Sequence, residues 1–352
     1  MSAQAIDREE LEAAIWPKGQ DPPTRKIYCG KCDRPNRIQV PRAVLWPEKH
    51  DCGECGAPLF ADMDTPLRDL DSTAYEHSLD RKSLDALRSL PGFPALAKWV
   101  GANIAERQFK LHQLSSGIRC GDDQFPELVR LCDTARERLG VGGIINPTLF
   151  LGESPVMNAM TLGFEETYVV VKSALLDQLT DQEIVAVLGH EIGHLHCGHP
   201  LYKSLAWMVL SSAMAFSGIV RLLTAPLQKA LLKWSRCAEL TCDRAGLLAS
   251  RDLGASLGVL LTMAGGSRPG TTSRTSIKLA PFIRQAREIQ EIESDSTVDS
   301  MVSDLLSLNR SHPYVVWRVT ELLRWVEHGK YLEILAGKYP RRPDSEDSPS
   351  KG

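Results

Sequence analysis

One stretch limits the folds open to this chain more than any other. Residues 180–199 read TDQEIVAVLGHEIGHLHCGH. Thr180 with Glu183 three residues on is the capping-box pattern that satisfies orphan N–H groups at a helix start. Ile184, Val187, Leu188 and Ile192 then recur at helical spacing, which predicts a helix with an apolar stripe. On that helix His190 and His194 lie one turn apart and share a face. Two neutral imidazoles so placed can hold Zn2+, and Glu191 beside the first can take a proton from a water polarised by the ion. The plainer meaning is a pair of surface histidines on an ordinary helix. A third ligand elsewhere in the chain separates the two.

Residues 234–250, WSRCAELTCDRAGLLAS, offer one. Glu239 and Asp243 are four apart on a predicted helix, with Arg236 three residues before Glu239. A glutamate from a second helix completes a His2Glu set and leaves the fourth position to water. Asp243 is then placed to accept the outer ring N–H of a ligand histidine. The rival meaning is an acidic pair on a surface helix. Cys197 is a rival ligand if the first helix continues that far; His196 points away, and His199 follows Gly198, where the helix can end. Metzincins need Gly at the eighth and His at the eleventh position of the motif; Cys197 and Pro200 stand there and exclude that class.

A second metal set lies near the start. Cys29, Cys32, Cys52 and Cys55 form two C-x-x-C knuckles separated by 19 residues, the tetrahedral thiolate set of a structural zinc ribbon. So small a unit buries little surface, so the ion is expected to contribute to its folding. Short strands are expected around Ile38, Val40, Val44 and Leu45. Arg34, Arg37, Arg42 and Lys49 make the ribbon basic, which reads as a solvated face or as a docking surface for a protein or, more weakly, a nucleic acid. The other five cysteines are scattered and suggest no secreted disulfide framework. No apolar leader is visible in the first ten residues, so a reducing, cytoplasmic setting is expected. A net charge of −3 implies no bulk attraction to nucleic acid.

The rest divides by pattern. Residues 1–26 are a polar, proline-containing lead, expected to be weakly ordered. The ribbon takes 27–60, a mostly helical domain 65–338, and a polar disordered tail 340–352. Pro91–Pro94 separates two helices, and apolar periodicity predicts helices over 95–114 and 126–139. Residues 148–151 and 167–171 read as strands, and 157–160 between them as an edge on which an extended substrate can pair. Residues 204–220 lack charge for seventeen positions, the lower limit for a bilayer span. The return stretch 227–236 carries Lys229, Lys233 and Arg236 and is a poor span, so a helical hairpin is expected. Its first arm would be buried, lie at a membrane surface or cover the cleft. Residues 265–276 read as a loop, 277–292 and 298–308 as helices, and His312 before Pro313 as a turn.

Three runs in order, NAMTLG…YVVVKSALLDQLTDQEIVAVLGHEIGHLHCGH, SRCAELTCDRAG and SHPYVVWRV, resemble the gluzincin family of the HtpX proteases and CAAX prenyl endopeptidases. The likeness spans roughly residues 65–330. It implies an α+β, mostly α zincin-like core with a small sheet. It also implies zinc ligands His190, His194 and Glu239, Glu191 as base, Asp243 behind the ligands, His312 steadying an oxyanion, Arg318 supporting the site, and Asn158 and Ala159 on the substrate edge. The chain departs from the membrane members in its ribbon and in lacking clear spans before the motif. The expected activity is zinc-dependent hydrolysis of peptide bonds in a protein or peptide, with one catalytic and one structural Zn2+. The alternative is a latent or inactive peptidase fold that binds a partner through the ribbon.

Overall fold

The N-terminal cysteines organise a hairpin. Strand β1 (Thr24–Tyr28) pairs antiparallel with β2 (Pro35–Gln39), and the first knuckle forms the turn between them. A bridge between Asp51 and Pro58 closes the second knuckle. The expected strand at Val44 and Leu45 is instead a helix, Val40–Leu45. Pro41 sits at its start, where a missing N–H costs nothing, and Val40, Val44 and Leu45 are buried. The hairpin does not stand apart: Ile27, Ile38 and Val44 share one apolar cluster with Leu332 and Leu335 of the helix Lys330–Leu335.

The computed structural model describes residues 6–17, 19, 21–100, 106–163, 166–206, 218–265, 278–293 and 315–343. The lead expected to be weakly ordered contains a helix, Arg8–Ile15. Asp7 caps it by accepting from Glu9 N and Glu10 N. Leu11 and Ile15, one turn apart, bury completely, and Trp16 Nε1 donates to Glu327 Oε1 at 3.0 Å. At the other end, Arg341, within the expected tail, bridges Leu70. Arg342 N donates to Asp69 O.

A four-stranded sheet in the order β3-β4-β6-β5 backs the functional region. Its strands are β3 (Gly117–Arg119), β4 (Thr148–Gly152), β5 (Ala159–Leu162) and β6 (Tyr168–Lys172). β4 and β6 run parallel, and the other pairs antiparallel. Tyr168 to Val171 are all buried, as a central strand covered on both faces requires. The edge strand β5 begins at Ala159, two residues later than expected. Asn158 still docks on β6, where its carbonyl accepts from Lys172 N at 3.0 Å.

The motif helix runs Asp181–His196 and opens on the predicted capping box: Thr180 Oγ1 accepts from Glu183 N, and Glu183 Oε2 accepts from Thr180 N at 2.8 Å. It stops at Cys197, with Gly198 at φ +68° ending it in the left-handed region. Residues 227–236 and 234–250 belong to one helix, Gly218–Ser250. The two helices pack closely because side chains are missing at the seam. A Cβ on Gly193 would lie 2.6 Å from Ala245 Cβ, and one on Gly246 2.7 Å from Ala186 O. That close approach brings Glu239 and Asp243 beside the histidines. Ser78–Arg88 and Val315–Glu327 also flank the long helix. Most of the uncharged arm at 204–220, the helix expected at 298–308 and His312 lie outside the described residues. Among the described residues, no helix is long and apolar enough to cross a membrane.

Candidate metal centres and cleft

The four knuckle sulfurs converge. Cys29 Sγ lies 3.7 Å from Cys55 Sγ and Cys32 Sγ 3.6 Å from Cys52 Sγ, with all four within 4.8 Å of one another. A tetrahedral ion with metal–sulfur bonds of about 2.3 Å sets sulfurs about 3.8 Å apart, so the set fits Zn2+. Backbone N–H groups of Cys55 and Glu54 pull the Cys52 thiol down to about 6. The backbone N–H at Arg34 acts the same way on Cys32, yet burial and the neighbouring sulfurs push that thiol up to about 12. Such a cluster ionises fully only around a cation.

The second set is built from two helices. His190 Nε2 lies 3.5 Å from Glu239 Oε2, and His194 Nε2 3.3 Å from Glu239 Oε1. Donors held about 2.1 Å from one tetrahedral ion stand about 3.4 Å apart, close to each of these two separations, which run to different oxygens of Glu239. Lys203 Nζ reaches the same donors, 2.7 Å from His194 Nε2 and 3.1 Å from Glu239 Oε1. The ammonium pairs with the Glu239 carboxylate at that place. Cys242 is a further candidate, since one donor each from His190, His194 and Cys242 lie within 4.8 Å of one another. Its sulfur, however, stands 3.0 Å from His194 Nδ1, the opposite edge of the ring from Glu239. Burial pushes its thiol well up, and its position on the Nδ1 edge leaves the Nε2 edge of His194 to Glu239. Cys197 turns instead toward Tyr75 Oη at 3.8 Å.

Asp243 fixes the first histidine. Its Oδ1 lies 3.1 Å from His190 Nδ1, which directs Nε2 toward Glu239. Arg318 grips the same carboxylate from two sides, Nε to Oδ2 at 2.8 Å and Nη2 to Oδ1 at 2.5 Å. Burial alone would raise Asp243; the Arg318 charge and hydrogen bonds hold it below the usual carboxylate range. Burial also opposes protonation of His190, yet hydrogen bonds and charge from Asp243 and Glu239 raise it to about 9. His194 goes the other way: burial and the Lys203 charge hold it well below the ordinary value.

Glu191 is buried and faces the cleft, where Thr161 Oγ1 of β5 donates to its Oε2 at 2.6 Å. Asn158 and Ala159 line that cleft together with His190, Glu239 and Arg318. The structure thus gathers every described residue proposed from sequence for this site. Lys203 and Thr161 were missed, because nothing in their local pattern marks them. His199 was seen only as a residue past the helix end, and Asp80 not at all; both lie behind His194.

A family model described as Peptidase family M48 matches residues 143–326. The plastoglobule-localized metallopeptidase 48, chloroplastic, of Arabidopsis thaliana is 30% identical over 271 residues, 76% of this chain and 77% of that protein. A protease HtpX homolog of Bordetella pertussis is 30% identical over 152 residues, 41% of this chain and 50% of that protein. The chain thus spans about half of that HtpX homolog. The solved structure of S. mikatae Ste24p is 20% identical, with a TM-score of 0.38 over 69% of this chain and 60% of that one, too loose a likeness to bear on the fold.

Proposed function

This chain belongs to peptidase family M48 and is a metalloprotease, and on that premise we propose that it is a zinc endopeptidase working through the cleft beside β5. His190 Nε2, His194 Nε2 and Glu239 hold the catalytic ion. The observation that carries this is that His190 Nε2 and His194 Nε2 face the two oxygens of Glu239 at 3.5 and 3.3 Å, with the Lys203 ammonium against His194 and Glu239. Zn2+ in that position supplies the positive charge that acidifies a water and polarises the scissile carbonyl.

The protein's own groups do the rest. Glu191 accepts the proton of the attacking water and returns it to the leaving amine. Thr161 holds its carboxylate in the cleft through Oε2, leaving Oε1 for that water. An extended peptide pairs along β5, the last strand in the sheet order, with Asn158 and Ala159 at its near end. Asp243, clamped by Arg318, fixes the ring of His190 through Nδ1 and turns its Nε2 toward Glu239. His312 donates to the developing oxyanion, the role its resemblance implies. Cys29, Cys32, Cys52 and Cys55 hold a second, structural Zn2+.

The test is Glu191→Gln, assayed on casein and a peptide library with zinc measured alongside. The variant is expected to keep its metal and fold and to lose about 10²–10⁴-fold in rate, the usual share of a general base. Undiminished cleavage by a folded, zinc-loaded variant would sink the proposal.

A further inference from the structure

We propose that His199 and Asp80 form a positioning relay for His194, the counterpart of what Asp243 and Arg318 do for His190; this rests on the zinc reading above.

The geometry behind His194 is specific. Its Nδ1 lies 2.9 Å from His199 Nδ1. Two ring nitrogens so close need one proton between them. On the far edge of His199, Nε2 lies 3.2 Å from Asp80 Oδ2, a charge contact not aligned as a hydrogen bond. The charge of that carboxylate favours the Nε2–H tautomer of His199. His199 Nδ1 is then an acceptor, His194 Nδ1 must donate, and His194 Nε2 keeps a lone pair toward Glu239. Asp80 is steadied in turn by Thr241 Oγ1 at 2.6 Å, and Thr241 also accepts from His77 N at 3.0 Å. Trp234 packs edge-on against the His199 ring with centroids 5.6 Å apart, so the ring cannot turn freely.

His194, His199, Asp80 and Thr241 are all fully buried, in reach of no solvent that could substitute for a missing partner. Cys242 Sγ, 3.0 Å from His194 Nδ1, is the competing contact. A thiol is both a weak donor and a weak acceptor, and Cys242 Sγ also stands 3.7 Å from His199 Nδ1, so the shorter nitrogen–nitrogen contact outweighs it. The relay spans three segments: Asp80 on the helix Ser78–Arg88, His199 just past the motif helix, and Thr241 on the long helix between Glu239 and Asp243. It acts on the ligand's orientation and touches no reacting atom.

The readout is metal affinity, taken with Co2+ in the full-length protein. Both centres give d–d bands, so the histidine site is read as the part of the d–d spectrum that Glu239→Ala removes, and the thiolate charge-transfer bands of the cysteine site serve as an internal control for folding. His199→Leu and Thr241→Val are expected to weaken Co2+ and Zn2+ at the histidine site about 10–100-fold and to shift the d–d bands, with the thiolate bands unchanged. His199→Gln, which keeps an acceptor for His194 and a donor for Asp80, is expected to recover most of that affinity. A buried histidine with a structural role alone predicts otherwise: lowered thermal stability with unaltered bands and affinity in all three variants. That result overturns the relay while leaving the zinc reading intact. A wild-type protein that shows thiolate bands and no histidine-site bands overturns both.

Discussion

The candidate cysteine and histidine centres present four sulfurs in one case and nitrogen and oxygen in the other, and they are assembled in opposite ways. The four cysteines lie within residues 29–55, each pair on one tight turn, and the cluster reaches solvent at Cys55. The histidine centre draws His190 and Glu239 from separate helices and sets them on buried groups as distant in sequence as Asp80 and Arg318. A local site needs little more than its own turns. A long-range site inherits its geometry from helix packing, so it can be damaged from many places that never touch the ion.

The comparison is broken most directly by removing one centre at a time. Glu239→Ala is expected to abolish peptidase activity and reduce bound zinc from about two per chain to about one, read by metal analysis. Loss of both ions would show that the centres are not independent. The converse, Cys32→Ser with Cys55→Ser, is expected to release the other ion and expose the β1–β2 hairpin to limited proteolysis, while cleavage activity persists. Because Ile27 and Ile38 pack with Leu332 and Leu335, some loss of thermal stability should accompany it.

A smaller effect sharpens the claim that the histidine site is vulnerable at a distance. Arg318→Leu leaves Asp243 buried without its charge partner, a defect of about 3–5 kcal/mol. Urea denaturation is expected to show that loss, whereas Arg37→Leu on the ribbon should change stability little. The smallest effect concerns acid. Burial lowers His77; Glu321, which burial alone would raise, is held down by its hydrogen bond from His77 at 2.9 Å. Both groups bind more protons unfolded than folded. Their contribution is therefore full above pH 6.5, the ordinary histidine value, and is lost as pH falls through the lowered folded values. Glu321→Gln is expected to remove the carboxylate's share of the slope below pH 4.5 and, because Glu321 raises His77 against burial, to steepen the histidine share just below pH 6.5; an unchanged slope in both ranges would remove this pair from the acid response.

Legibility followed the same division. The motif helix was readable at both ends, since Thr180, Glu183 and Gly198 act within a few residues of themselves. The strands at 148–152 and 168–172 were readable because continuous apolar runs mark buried strands. The edge strand was displaced by two residues, because short edges take their register from a neighbour, here Ala159 opposite Val171. The helix Arg8–Ile15 was missed because its cap and its two apolar positions are weak signals beside the prolines that follow. Lys203, Thr161 and Asp80 had no local signal at all; each matters only through a partner across the fold.

By itself the sequence determined the donor chemistry and its local spacing: two imidazoles on one helical face, a glutamate and an aspartate on another, four thiols on two turns. Periodicity and capping act over a few residues, and those are written in order along the chain. Only the tertiary structure decided which donor faces which. The close seam at Gly193 and Gly246 set Glu239 against His190 and His194, and packing placed Asp243 on His190 and Asp80 on His199, behind His194. Such pairings depend on the distance between helices, a quantity no local pattern contains.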